Sequence, residues 1–116
     1  MEITEAAKIK VAEQIKANKE IMPDKTFFLR VTAKIDADDK LKQQIYFDYE
    51  IRENDRLLRF KDFDLRIDED SYIYLKHAKL EYYDDEENKT GFFIDNPDSH
   101  DHSVQNVIWL FLFRAV

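Results

Sequence analysis

The chain is 116 residues long, which fits one domain, and it contains 0 cysteines. That excludes disulfides, thiolate nucleophiles, cysteine zinc sites and cysteine-held metal clusters in one step. A net charge of −7 with no basic stripe argues against nucleic acid and anionic membranes as partners, and a single Gly with two Pro argues against collagen-like, low-complexity and phosphate-loop designs.

The first element is a helix over residues 5–18. Thr4 suits its N-cap, and Glu5 suits the positive end of the helix dipole. Ala7, Val11 and Ile15 recur at i, i+4 and i+8, so they share one apolar face, and Pro23 ends any continuation. The opening stretch MEITEAAKIK has no apolar signal core, and the longest apolar run, VIWLFLF over 107–113, is far short of the roughly 20 residues that cross a bilayer. These features predict a soluble, cytoplasmic protein.

From residue 27 the apolar period changes to two. Phe27, Leu29, Val31, Ala33 and Ile35 fall on one face of a strand. Ile45, Phe47, Tyr49 and Ile51 do the same in a second, and Phe63, Leu65 and Ile67 in a third. Each reads as a half-buried strand with one wet face. DADDK (36–40) and ENDR (53–56) are polar joints that suit hairpin turns. DSYIYL (70–75) reads as a short helix capped by Asp70 or Ser71. AKLEYY alternates again, with Ala78, Leu80 and Tyr82 inward. The acidic loop DDEENKTG closes on Gly91, and FFI resumes a strand. Gly91 marks a backbone requirement, either positive φ or close strand approach, and Asn96-Pro97 marks a turn. The tail from Val104 is too continuously apolar for a surface strand; it is a covered strand or a patch for a partner.

The ITEAA start, the helix, the strands, and then LxY and GFxxxNP together resemble the HesB/IscA-like family of A-type iron–sulfur carriers. The matching pieces are Ile3, Thr4, Ala6 and Ala7; Leu29, Arg30 and Val31; Asp68, Ser71 and Leu75; Leu80, Glu81 and Tyr82; and Gly91, Phe92, Asn96 and Pro97. The resemblance implies a mainly β (α+β) fold, a HesB-like pseudobarrel or sandwich with an N-terminal helix and one short inner helix. It implies one such domain over 1–116, with an apolar C-terminal extension at 104–116. It also implies a role in iron–sulfur cluster biosynthesis, with assembly components as protein partners.

Family members hold iron or a cluster through three cysteines. The matching positions here fall near Asp38, in the first loop, and near Ser103 and Gln105 after Asn96-Pro97. Clusters require soft thiolate donors, which hydroxyl and amide groups do not replace. The reading is therefore an accessory or regulatory binding module that holds no cluster and is not an enzyme. No Ser/His/Asp set, phosphate loop or His-Glu-x-x-His helix is present.

Two alternatives stand beside it. Asp98, His100, Asp101 and His102 offer imidazole and carboxylate ligands. His100 and His102 at i, i+2 face one way in an extended segment, so with Asp101 and Asp38 they suit a divalent metal ion. The same residues also suit a solvated polar loop. The second alternative is a homo-oligomer built through 107–113. His77 reads as a structural histidine, the Asp84–Glu87 run as a solvated loop or a docking surface for a basic partner. Tyr46, Tyr49, Tyr72, Tyr74, Tyr82, Tyr83 and Trp109 read as core and rim packing or as the lining of a ligand pocket.

Overall fold

The structure, a computed structural model, describes residues 1–85, 89–97, 104–106 and 109–110. Strand β1 (Glu2–Ile3) leads into helix α1 (Glu5–Ile21). Thr4 caps the helix as predicted, its Oγ1 accepting the Ala7 N–H at 3.3 Å. The helix runs one turn past the expected end. Nothing in Lys19–Ile21 breaks it, and Pro23 disfavours helical backbone only at the residue before it, Met22, which is the C-cap. Ala7 and Val11 are fully buried, and Ile15 packs against the core.

Strands β2 (Phe28–Ile35) and β3 (Leu41–Asp48) form an antiparallel pair closed by the DADDK turn, as expected. One carboxylate oxygen of Asp36 accepts the N–H groups of Asp38 and Lys40 at 2.8 and 3.0 Å. Asp39 sits at φ 60°, a left-handed conformation that a short polar side chain tolerates.

The ENDR joint departs from expectation. It is not a hairpin between sheet neighbours, because the strand that follows it does not pair with β3. β3 lies on one side of β2, while β4 (Asp55–Arg59) lies beyond β5 (Asp64–Asp68) on the other. The chain must cross the sheet face between Asp48 and Asp55. β3 ends at Asp48 because one carboxylate oxygen of that residue accepts the N–H groups of Tyr49 and Glu50, which turns the chain. Tyr49 and Ile51 therefore fall outside the strand, and Ile51 is exposed.

The crossover explains a second departure. β2 has no wet face at its start, since Phe28 and Arg30 are buried along with Leu29 and Val31.

Helix α2 (Glu69–Leu75) is capped by Asp68 rather than Asp70 or Ser71. Ser71 has another use. β5 pairs with β2 at Leu29 and Arg30, and further along β2 the Ser71 hydroxyl stands in for a neighbouring strand. It accepts the Ala33 N–H at 3.0 Å and lies 2.8 Å from Asp68 Oδ1 and 3.1 Å from the Ala33 carbonyl oxygen, so its one proton serves either acceptor.

The second sheet has the order β1-β6-β7-β8, with β6 (Lys79–Asp85) and β7 (Lys89–Asp95) as a hairpin. Leu80, Phe92 and Ile94 are fully buried, and they join Leu29, Val31, Ile45, Phe47, Leu65 and Ile67 of the other sheet in one core with Ala7 and Val11. Gly91 has φ +124°, and an added Cβ would meet nothing within 4 Å. Of the two expectations for it, the backbone conformation is the one observed.

Two short strands come from the tail. β8 (Val104–Asn106) pairs antiparallel with β7, and β9 (Trp109–Leu110) pairs parallel with β3. At these residues the tail backbone extends both sheets of its own chain. No helix among the described residues is long and apolar enough to cross a membrane.

Candidate functional site

Of the expected ligand residues, only Asp38 and Gln105 lie among the described ones. Asp38 is exposed in the β2–β3 turn, and His100, Asp101, His102, Asp98 and Ser103 lie outside the described residues. Gln105 falls within β8, its backbone opposite Ile94. Among the described residues no group of three or more His, Asp or Glu side chains is placed to hold a metal ion. His77 is exposed just after α2. Of the acidic run, Asp84 is exposed in β6, and Glu86 and Glu87 lie outside the described residues.

Four of the tyrosines serve packing. Tyr49, Tyr72, Tyr74 and Tyr82 lie against the core, and Tyr82 meets Phe92 edge-on at 5.0 Å. The GFxxxNP motif is structural in a specific way. Asn96 is fully buried at the end of β7, and its Nδ2 donates to Gln43 Oε1 at 2.8 Å and to the Tyr74 carbonyl at 2.7 Å. One side chain thus ties the end of one sheet to β3 of the other and to α2. Pro97, next to it, is exposed and lies in a turn.

The outer face of the five-stranded sheet carries chemistry that periodicity did not reveal. Arg30, on β2, is fully buried there. Its Nε donates to Asp48 Oδ2 at 2.9 Å, and its Nη1 and Nη2 donate to the two oxygens of Asp55 at 2.7 Å each. Nη2 also donates to the Glu50 carbonyl at 3.0 Å. The crossover is thereby fastened to the sheet at its start, middle and end. Burial opposes the charge on Arg30, but hydrogen bonds and attraction from Asp55 and Asp48 outweigh it, and the guanidinium pKa is raised. Burial likewise works against the Asp55 carboxylate. Arg30, the Arg52 N–H and the charge of Arg66 outweigh it and hold the carboxyl below its usual range. Two guanidinium groups lie close to the Phe28 ring, whose centroid is 5.2 Å from the Arg30 guanidinium carbon and 5.3 Å from that of Arg66. The one sequence signal for this network is a lone Arg inside an apolar strand, Leu29-Arg30-Val31.

Further along the same face, where β5 has ended and α2 turns away, a groove of about 790 Å³ opens. Cross-strand pairs Thr32–Gln44 and Lys34–Lys42 floor it, Arg52 of the crossover overhangs it, and the start of α2 walls it.

No protein-family model matches the chain, and no curated protein matches it by sequence. Solved structures do match. Escherichia coli SufA, involved in biosynthesis of iron–sulfur clusters, superposes with a TM-score of 0.63 at 16% identity, covering 83% of this chain and 79% of that one. IscA with the [2Fe-2S] cluster superposes with a TM-score of 0.63 at 19% identity, covering 83% and 84%. A protein from Aquifex aeolicus gives 0.56 at 25% identity, covering 84% and 91%. The chain therefore has the HesB/IscA-like fold that its sequence resembles, two sheets around one core with an N-terminal helix and a short inner one, built without a cysteine.

Proposed function

We propose that this chain is an accessory binding module of iron–sulfur cluster assembly, one that uses a carrier scaffold to engage another assembly component and holds no cluster itself. The observation that carries the reading is the pairing of that scaffold with a chain of 116 residues and 0 cysteines. Iron in these clusters is held by thiolates, and the residues at the matching positions, Asp38, Ser103 and Gln105, offer oxygen and amide groups instead. The family motif residues seen in the structure have structural duties, Phe92 in the core and Asn96 between the sheets. Such a chain retains the shape that a partner would recognise and lacks the donors for the cargo. Binding, rather than catalysis, is the activity that this arrangement supports.

Anaerobic reconstitution with ferrous iron and sulfide, followed by desalting, tests the reading. The protein is expected to emerge colourless, with no visible charge-transfer absorption. A brown species that survives gel filtration with stoichiometric iron and sulfide would overturn it.

A further inference from the structure

The groove on the outer sheet face has a charge pattern that the fold alone does not explain. The chain carries a net charge of −7, yet this groove gathers Lys34, Lys42 and Arg52. Lys34 and Lys42 stand directly opposite each other in the β2–β3 register. Like charges at such a position repel and destabilise a sheet. Lys42 has partial relief from Asp36 at 3.5 Å, whereas Lys34 and Arg52 make no side-chain ion pair or hydrogen bond among the described residues.

One row along, Thr32 and Gln44 add neutral donors on the same face, and their side chains also have no hydrogen-bond partner among the described residues. Two acids complete the wall. Asp68 is committed to capping α2 through Ser71, whereas the Asp70 carboxylate has no hydrogen-bond or ion-pair partner among the described residues.

We propose that this groove binds a small organic oxyanion with at least two negative charges and a hydroxyl, of the class of phosphate monoesters and hydroxylated polycarboxylates. The oxyanion lies between Lys34, Lys42 and Arg52, where it removes the cross-strand repulsion, and Thr32 and Gln44 donate to it. A hydroxyl of the ligand donates to Asp70. The volume, about 790 Å³, falls in the range of small-molecule sites, roughly 300–1,000 Å³, and is larger than a bare phosphate needs. This site is independent of the iron–sulfur reading, since it uses none of the positions that match the family's ligands.

The test is an amide-resolved NMR titration of the full chain with glycerol 3-phosphate, citrate and inorganic phosphate in turn, each against sodium chloride at matched ionic strength. The expected result is saturable shifts at Thr32–Lys34, Lys42–Gln44 and Arg52. The Lys34→Ser/Arg52→Ser double variant should weaken binding by at least about tenfold, or 1.4 kcal/mol. Both side chains are exposed, so the variant keeps its fold, which an unchanged spectrum elsewhere checks. Saturation by glycerol 3-phosphate alone supports a phosphate monoester, and saturation by citrate alone supports a polycarboxylate. Saturation by both supports the shared class. Shifts that sodium chloride reproduces, shifts unchanged in the double variant, saturation by inorganic phosphate alone, or no saturation at millimolar ligand would each overturn the proposal.

Discussion

Replacing Arg30 by methionine is expected to destabilise the protein by about 3–5 kcal/mol, the usual result of removing one partner from a buried ion pair. That is a large share of the roughly 5–15 kcal/mol that holds a domain folded. The size follows from what stays behind. Asp48 and Asp55, whose side chains are wholly shielded from solvent, lose their shared cation, and Glu50 loses a donor to its carbonyl. Methionine fills much of the space, so the loss measures uncompensated charge more than a cavity. Adding Asp48→Asn and Asp55→Asn to Arg30→Met should recover part of it, because the amides remove the charge and keep an oxygen for the N–H groups of Tyr49, Glu50 and Arg52. Urea unfolding reads both variants. A loss below about 0.5 kcal/mol for Arg30→Met, within the ordinary range of surface substitutions, would show that the network is not buried.

The same site sets an acid limit. Asp55 has a carboxyl pKa held below its usual value in the folded state. A depressed folded pKa means that the unfolded chain binds the proton first, so the contribution of Asp55 is fully present above the unfolded pKa of about 3.9. It is lost as pH falls from there through the folded value. Stability measured across that acid window should fall more steeply in the native chain than in Asp55→Asn, and parallel curves would rule out this source.

Phe92→Ala is the second large effect, expected at about 3–5 kcal/mol. Phe92 has no exposure, shares the inner face of the four-stranded sheet with Leu80 and Ile94, and meets Tyr82 edge-on at an interplanar angle of 64°. Truncation removes the ring from the core shared by both sheets and opens a cavity that the rigid strand pairs cannot collapse. Ile73→Ala is the control. That side chain is 62% exposed on α2, and its loss should stay within about 0.5 kcal/mol. Thermal or urea unfolding of the two variants side by side makes the comparison. A Phe92→Ala loss no larger than that of Ile73→Ala would mean that the motif aromatic is not a core residue.

Element type was legible wherever one face of an element was wet and the other dry. α1 announced itself by Ala7, Val11 and Ile15 at helical spacing, and β5 by Leu65 and Ile67 at spacing two. Such patterns record burial directly. The DADDK turn was legible for a local reason, since Asp36 bonds to N–H groups two and four residues ahead. The ENDR joint was misread because a hairpin and a crossover use the same polar residues. Which strand a chain pairs with next is decided by partners far away in sequence, here β5 inserted between β4 and β2. The cap of α2 was placed two or three residues late for a similar reason. Ser71 looks like a cap in isolation, but its hydroxyl is used by Ala33, 38 positions away.

Two things followed from the amino-acid sequence alone: a two-period pattern that specifies a helix followed by strands, and the absence of any thiolate with which to hold a cluster. Both are properties of residue type and local spacing. The Arg30 network, the tie from Asn96 to Gln43 and Tyr74, and the groove over Lys34 and Lys42 were decided only by the tertiary structure. The first two bring together groups separated by 18 or more residues, and a buried charge or amide is recognisable only once its partners are beside it.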